Sequence, residues 1–132
     1  MRKQFSNEEI LLYAEKLNKI FLHSENEIEL PIKINFYLQK NITAFMEAAK
    51  EIEAARLNIG QKYGRFDEKE NSYFIEDEEK LKLAKKDLKD LLSLEQILEI
   101  YMVSLSELEN TTSLTVTQMN AMLFMIDEDI EY

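Results

Sequence analysis

The chain has no cysteine and no tryptophan, and only one histidine, one proline and two glycines in 132 residues. Without cysteine there is no disulfide, no thiolate nucleophile and no cysteine-ligated zinc, a composition that fits a reducing compartment. With glycine only at positions 60 and 64, no glycine-rich loop can cradle a phosphate. The lone histidine, His23, sits in the polar run HSENE. Serine–histidine catalysis needs an imidazole oriented by a carboxylate beside one particular serine. No pattern here selects such a serine, whereas a histidine closing a helix favours the helix dipole. No apolar run approaches the ~18 residues a membrane span needs. The opening MRKQFSNEEILLYAEK starts basic, but glutamates interrupt it before a signal-peptide core forms. Basic–aromatic interleaving of the kind that binds RNA is absent. The expectation is a soluble, cytoplasmic, non-enzymatic protein with no cofactor, metal, membrane or nucleic-acid ligand.

What is present is a helical pattern. Hydrophobic residues make up 45% of a 15.6 kDa chain, enough for one domain spanning residues 1–132 with its own core. The organising stretch is Pro31–Gly64. Leu38, Ile42, Phe45, Ala49, Ile52, Ile59 and Tyr63 recur in steps of four and three, with Arg56 in the one polar slot. Pro31 suits a helix start and Gly64 a left-handed stop. Ser6-Asn7-Glu8-Glu9 reads as a capping box opening a helix to about Leu22, with Ile10, Ala14, Leu17 and Phe21 on one face. The two helices should form a long antiparallel hairpin over about 7–63. Arg56 within the seam would set register if the hairpin also made a homo-oligomer.

Beyond Gly64 the pattern is mixed. RFDEKENS reads as a charged loop, and residues 72–75 as a short strand. Asp77 caps a third helix over about 78–92. Residues 96–103 read as a second strand, with Ile97, Glu99, Tyr101 and Val103 on one side. Ser106 and the run Asn110–Ser113 mark turns. Thr115 caps a last helix over about 116–126, with a seam of Val116, Met119, Leu123 and Ile126 broadened by Met122, Phe124 and Met125. MRKQF can pair as an edge strand. The fold class is α+β, mainly helical: the hairpin, two further helices and a small sheet of short strands.

Two features suggest function. The net charge of −10 is uneven: residues 1–66 carry +1 and residues 67–132 carry −11. An acidic half attracts basic partners, or simply keeps the protein in solution. Its densest stretch is Glu76, Asp77, Glu78 and Glu79. Carboxylates there and at Asp127–Glu131 are of the type that holds magnesium, but a helix N-terminus attracts acidic residues for its own reasons. Residues 67–78 fail as a calcium loop, since Lys69 and Ser72 stand where a ligand and a glycine are required. The second feature is the methionine row Met119, Met122 and Met125, whose flexible thioethers suit either a core or an adaptable protein-binding groove.

The run LPIKINFYLQKNITAF, then IEAARLNIGQKYG with an acidic turn, a short tyrosine-containing strand and a lysine-rich helix, resembles small acidic helical proteins encoded by tailed phages and prophages of Gram-positive bacteria. The likeness covers Leu30 to about Val103. Thirteen lysines against three arginines, with abundant Ile and Asn, fit an AT-rich genome. The resemblance implies a phage context in a bacterial host and carries over no site residues. Two readings follow: a protein-binding accessory module, in sharper form an inhibitor of a host defence protein, or a structural or assembly component of the tail or head.

Overall fold

The computed structural model describes residues 1–22, 30–109 and 114–127. His23, the turn signal at 110–113 and the acidic tail from residue 128 lie outside the described residues. The elements run β1 (Arg2–Ser6), α1 (Asn7–Leu17), a π-helical turn (Asn18–Leu22), α2 (Ile32–Tyr63), β2 (Arg65–Asp67), β3 (Ser72–Phe74), α3 (Glu78–Ser93), β4 (Glu95–Glu99), β5 (Val103–Ser104), α4 (Leu105–Glu109), α5 (Val116–Met122), a 3₁₀ turn (Leu123–Met125) and β6 (Ile126–Asp127). The fold is mainly helical α+β. Among the described residues the strands form three separate two-stranded pairs: β1 with β4 and β2 with β3 antiparallel, β5 with β6 parallel.

Helix starts follow the sequence closely. The Ser6 hydroxyl accepts from the Glu9 N–H while the Glu9 carboxylate accepts from the Ser6 N–H, as the capping box requires. Thr115 and Gln118 repeat the motif at α5. The Asp77 carboxylate accepts from the N–H groups of Glu79 and Lys80 at the head of α3. Each motif satisfies donors that the first helical turn leaves without intrahelical partners.

Helix ends depart from expectation. α1 stops at Leu17 and the chain continues to Leu22 as a π turn. Gly64 has φ −127 and ψ −174, so it is extended rather than left-handed. Its lack of a side chain matters for space: a Cβ there would lie 2.6 Å from the Phe74 carbonyl oxygen. α5 closes at Met122, four residues short of the expected 126, because the backbone tightens to 3₁₀ geometry. The faces differ from expectation as well. Val116 and Leu123, placed in the seam by periodicity, are exposed, while Ala121, Met122, Phe124 and Met125 are buried. The single strand expected over 96–103 is two strands, parted at Ile100–Met102.

Four aromatic rings at the centre bring the layers together. Phe45, fully buried on α2, lies with its ring centroid 5.2 Å from each of Phe5 on β1, Tyr13 on α1 and Phe124 in the 3₁₀ turn. Ile10, Leu17, Ile34, Leu38, Ile42 and Ile52 extend this core along α1 and α2, and Ile100, Val103 and Leu108 close one side. Around it, two buried asparagines do the work of backbone partners. Asn41 donates to the Tyr101 carbonyl at 2.9 Å and accepts from the Tyr101 N–H at 2.8 Å, so it stands in for the strand pairing that is missing between β4 and β5. Asn7 donates through Nδ2 to the Leu91 carbonyl in the last turn of α3 and accepts from Gln96 through Oδ1. Its own N–H reaches the Leu94 carbonyl.

Candidate functional site

α2 is 32 residues long, ~48 Å at the usual helical rise, and the core does not follow it to its end. Ile52 is the last of its residues in the core cluster. The remaining eleven residues, 53–63, carry the chain ~16 Å further. α2 packs against the β2–β3 hairpin and α3, and among the described residues of that hairpin and helix only Ala84 is buried. Arg56, expected inside the seam, is accordingly outside it: its guanidinium is exposed and pairs with Glu53 at 3.6 Å.

Glycine positions this arm. A Cβ at Gly60 would sit 3.0 Å from the Tyr73 ring, so glycine lets β3 lie directly on α2. The hairpin turn is set by Asp67, whose carboxylate accepts from the Lys69 N–H, and by Asn71 in the left-handed region at φ 50. Residues 67–72 thus make a tight turn between the two strands. The Tyr63 hydroxyl donates to Asp87 at 2.7 Å, tying the end of α2 to α3.

The register puts Phe66 opposite Tyr73 and Arg65 opposite Phe74. Phe66 and Tyr73 therefore share one face, with ring centroids 5.4 Å apart, and Arg65 and Phe74 share the other. Tyr73 is half-covered by α2, but Phe66 and Phe74 remain 50% and 55% exposed. Leu81 and Leu83 on α3 are exposed too. Between the Arg65–Phe74 face and α3 lies a cleft of about 290 Å³, rimmed by Tyr63, Arg65, Glu76, Asp77 and Lys80. An apolar ring with charges of both signs around it is a surface suited to holding another polypeptide.

The acidic residues singled out from the sequence gather at this arm, with distinct local roles. Glu76 pairs with Arg65 at 2.7 Å, Asp77 is occupied as the α3 cap, and Glu78 and Glu79 complement the helix dipole from its first turn. The methionines are elsewhere. Met122 and Met125 are completely buried and Met119 packs partly against the same core. Of the two readings, core or groove, Met122 and Met125 take the core, and the Asn41 amide lies 3.4 Å from the Met125 sulfur.

Charge that is segregated along the chain becomes mixed in space. From Leu91 onward the chain has no lysine or arginine. Yet β1 sets Arg2 opposite Glu99, and Lys33 of α2 meets Glu107 of α4 at 2.7 Å. The Lys33 hydrogen bond, followed by the Ser104 backbone N–H, holds the Glu107 carboxyl below its ordinary value. Among the described residues no three acidic or histidine side chains gather in a way that would hold a metal ion. No helix among them is long and apolar enough to cross a membrane.

The sequence pointed to the acidic half of this arm but not to Phe66 or Phe74. The charged run RFDEKENS hides a strand whose specification lies in its turn residues, in Gly60 on α2 and in Gly64 just before the strand. Comparisons with protein-family models, curated proteins and solved structures return no match for this chain.

Proposed function

We propose that the protein is a non-enzymatic, protein-binding accessory module of phage or prophage origin, acting in the cytoplasm of a bacterial host. The observation that carries this reading is the pair Phe66 and Phe74, half-exposed on a hairpin that lies beyond the last core residue of α2. A folded chain gains nothing by holding two large aromatic rings in water, whereas aromatic residues next to arginine are the usual anchors of protein interfaces. Arg65, Glu76 and Lys80 around the cleft supply polar contacts that would orient the partner. An inhibitor of a host defence protein is the sharper form of this reading, with the partner gripped at the arm.

The test is affinity capture from host cells with the wild-type chain and with a Phe66→Ser/Phe74→Ser double variant. The double variant should melt nearly as the wild type does, because exposed substitutions typically change stability by no more than about 0.5 kcal/mol. It should nevertheless lose the protein that the wild type captures. Equal recovery of that protein by both forms would remove the arm as the binding end.

The length of α2 favours a second reading, a structural or assembly component of a virion, since a rod of ~48 Å is a natural assembly element. Mass spectrometry of purified virions separates the two. A structural component is present there in stoichiometric amount, and an accessory module is not.

A further inference from the structure

α2 carries a second heptad row that the core does not use. Ile32, Phe36, Gln39, Thr43, Met46, Lys50, Glu53 and Leu57 follow one another in steps of four and three, and every one of the eight is exposed. The four large apolar residues that α2 leaves in water, Ile32, Phe36, Met46 and Leu57, all belong to this row. Half of its members lie one residue on from the buried residues Leu38, Ile42, Phe45 and Ile52, about 100° around the helix. A groove of about 500 Å³ runs along its middle, floored by Ile42, Met46 and Ala49 and walled by Leu22.

We infer that this row is a seam for a second copy of the same chain, with the two α2 helices antiparallel across a two-fold axis. The occupant follows from the charges beside the row. In an antiparallel pair, the position after each Ile32-type site faces the equivalent position of the other helix. Those positions are Lys33, Lys40, Glu47 and Ala54. Pairing them head to tail sets Lys40 against Glu47 of the second copy, and the symmetry makes the contact twice. The positions on the other flank are Ile42 and Ala49, of which Ile42 is already buried in the core of its own chain and Ala49 is partly exposed. Within the row, Ile32 meets Leu57, Met46 meets Thr43, and Phe36 meets Glu53. A parallel pair would instead match no charge, with Asn35 against Lys40, and would set Lys50 and Glu53 of the row each against its own counterpart. Only the antiparallel arrangement pairs opposite charges, although it also sets Phe36 against Glu53. Gln39 and Lys50, which face each other across it, are polar seam residues of the kind that fix register at some cost in affinity. The row spans ~38 Å, long enough for a two-helix interface. It is a different surface from the Phe66–Phe74 arm, so either can fail without the other.

Sedimentation velocity of the full chain over a wide concentration range tests the inference. A monomer–dimer equilibrium is expected. Met46→Glu should shift it to monomer with the helical content and melting temperature of the monomer unchanged, because residue 46 is outside the core. Lys40→Glu and Glu47→Lys singly each replace two attractive pairs by two repulsive ones and should raise the dimer Kd by about tenfold. The Lys40→Glu/Glu47→Lys double variant should return it to near the wild-type value. A chain that is monomeric at every concentration would overturn the inference. So would a dimer indifferent to Met46→Glu, or one that the double exchange fails to restore.

Discussion

Replacing Phe45 by alanine should lower the free energy of unfolding by about 3–5 kcal/mol, the range for deleting a large aromatic side chain from a packed interior. The size of the effect follows from what the ring touches. Phe45 is fully buried, and its centroid stands 5.2 Å from those of Phe5, Tyr13 and Phe124, three rings supplied by a strand, a helix and a 3₁₀ turn. Two of those contacts are edge-to-face, a geometry that adds to the burial term. No one neighbour can move to fill the space, since each is fixed by its own element. A domain of this size has only about 5–15 kcal/mol in total. Urea denaturation reads the loss directly as a lower midpoint with an unchanged slope. Coincident midpoints for variant and wild type would mean that the ring does not join the layers.

The second large effect is expected at Asn41. Asn41→Leu keeps roughly the volume of the side chain and removes both hydrogen bonds to Tyr101, leaving that residue's N–H and C=O without the partner they have. An unsatisfied buried polar group costs about 1–3 kcal/mol. Tyr101 is itself partly exposed, so water makes good part of the loss, and the two together should cost ~1–3 kcal/mol. Asn41→Asp adds a distinguishing sign. At neutral pH the carboxylate places an acceptor against the Tyr101 carbonyl and brings a charge into a site with no exposure, so this variant should be the less stable of the two. Acidification below its raised folded pKa restores a donor, and the gap to Asn41→Leu should narrow. Thermal melts of both variants at neutral and acid pH give the comparison. A gap that stays constant with pH would show that residue 41 does not face the Tyr101 carbonyl.

Neither residue was equally legible beforehand. Phe45 announces itself, because large apolar residues at steps of four and three define a seam whatever surrounds them. Asn41 does not. The buried row of α2 runs through Ile34, Leu38, Asn41, Phe45, Ala48 and Ile52, in steps of four, three, four, three and four. Its polar member is explained only by a break in a strand sixty residues away. The periodicity drawn from apolar residues alone passes through Ala49, which is only half-buried, and extends to Arg56 beyond the end of the core. Local signals fared best where the physics is local: the Ser6–Glu9 box, the Asp77 cap and the Thr115 cap are each complete within four residues. They fared worst where the backbone changes geometry, as in α5. There an all-round apolar pattern gave no reason to prefer the buried Met122 and Met125 over the exposed Val116 and Leu123. Gly64 was legible as a special position for the wrong reason, a left-handed angle instead of the approach of Phe74. The arm was half-visible. Its charges stand out in the sequence, while the hairpin that presents Phe66 and Phe74 depends on Gly60 of α2 and on Gly64 just before β2.

All of this divides α2 into a buried stretch that ends at Ile52 and an arm beyond it, and native-state hydrogen exchange tests that division most directly. Amide protection reports local opening, which is easier where few buried contacts hold a segment. Amides of α2 between Leu38 and Ile52 should exchange only through global unfolding, while those of residues 56–63 and of the β2–β3 hairpin should exchange markedly faster through local opening. Uniform slow exchange along the whole of Ile32–Tyr63, with the hairpin equally protected, would contradict it.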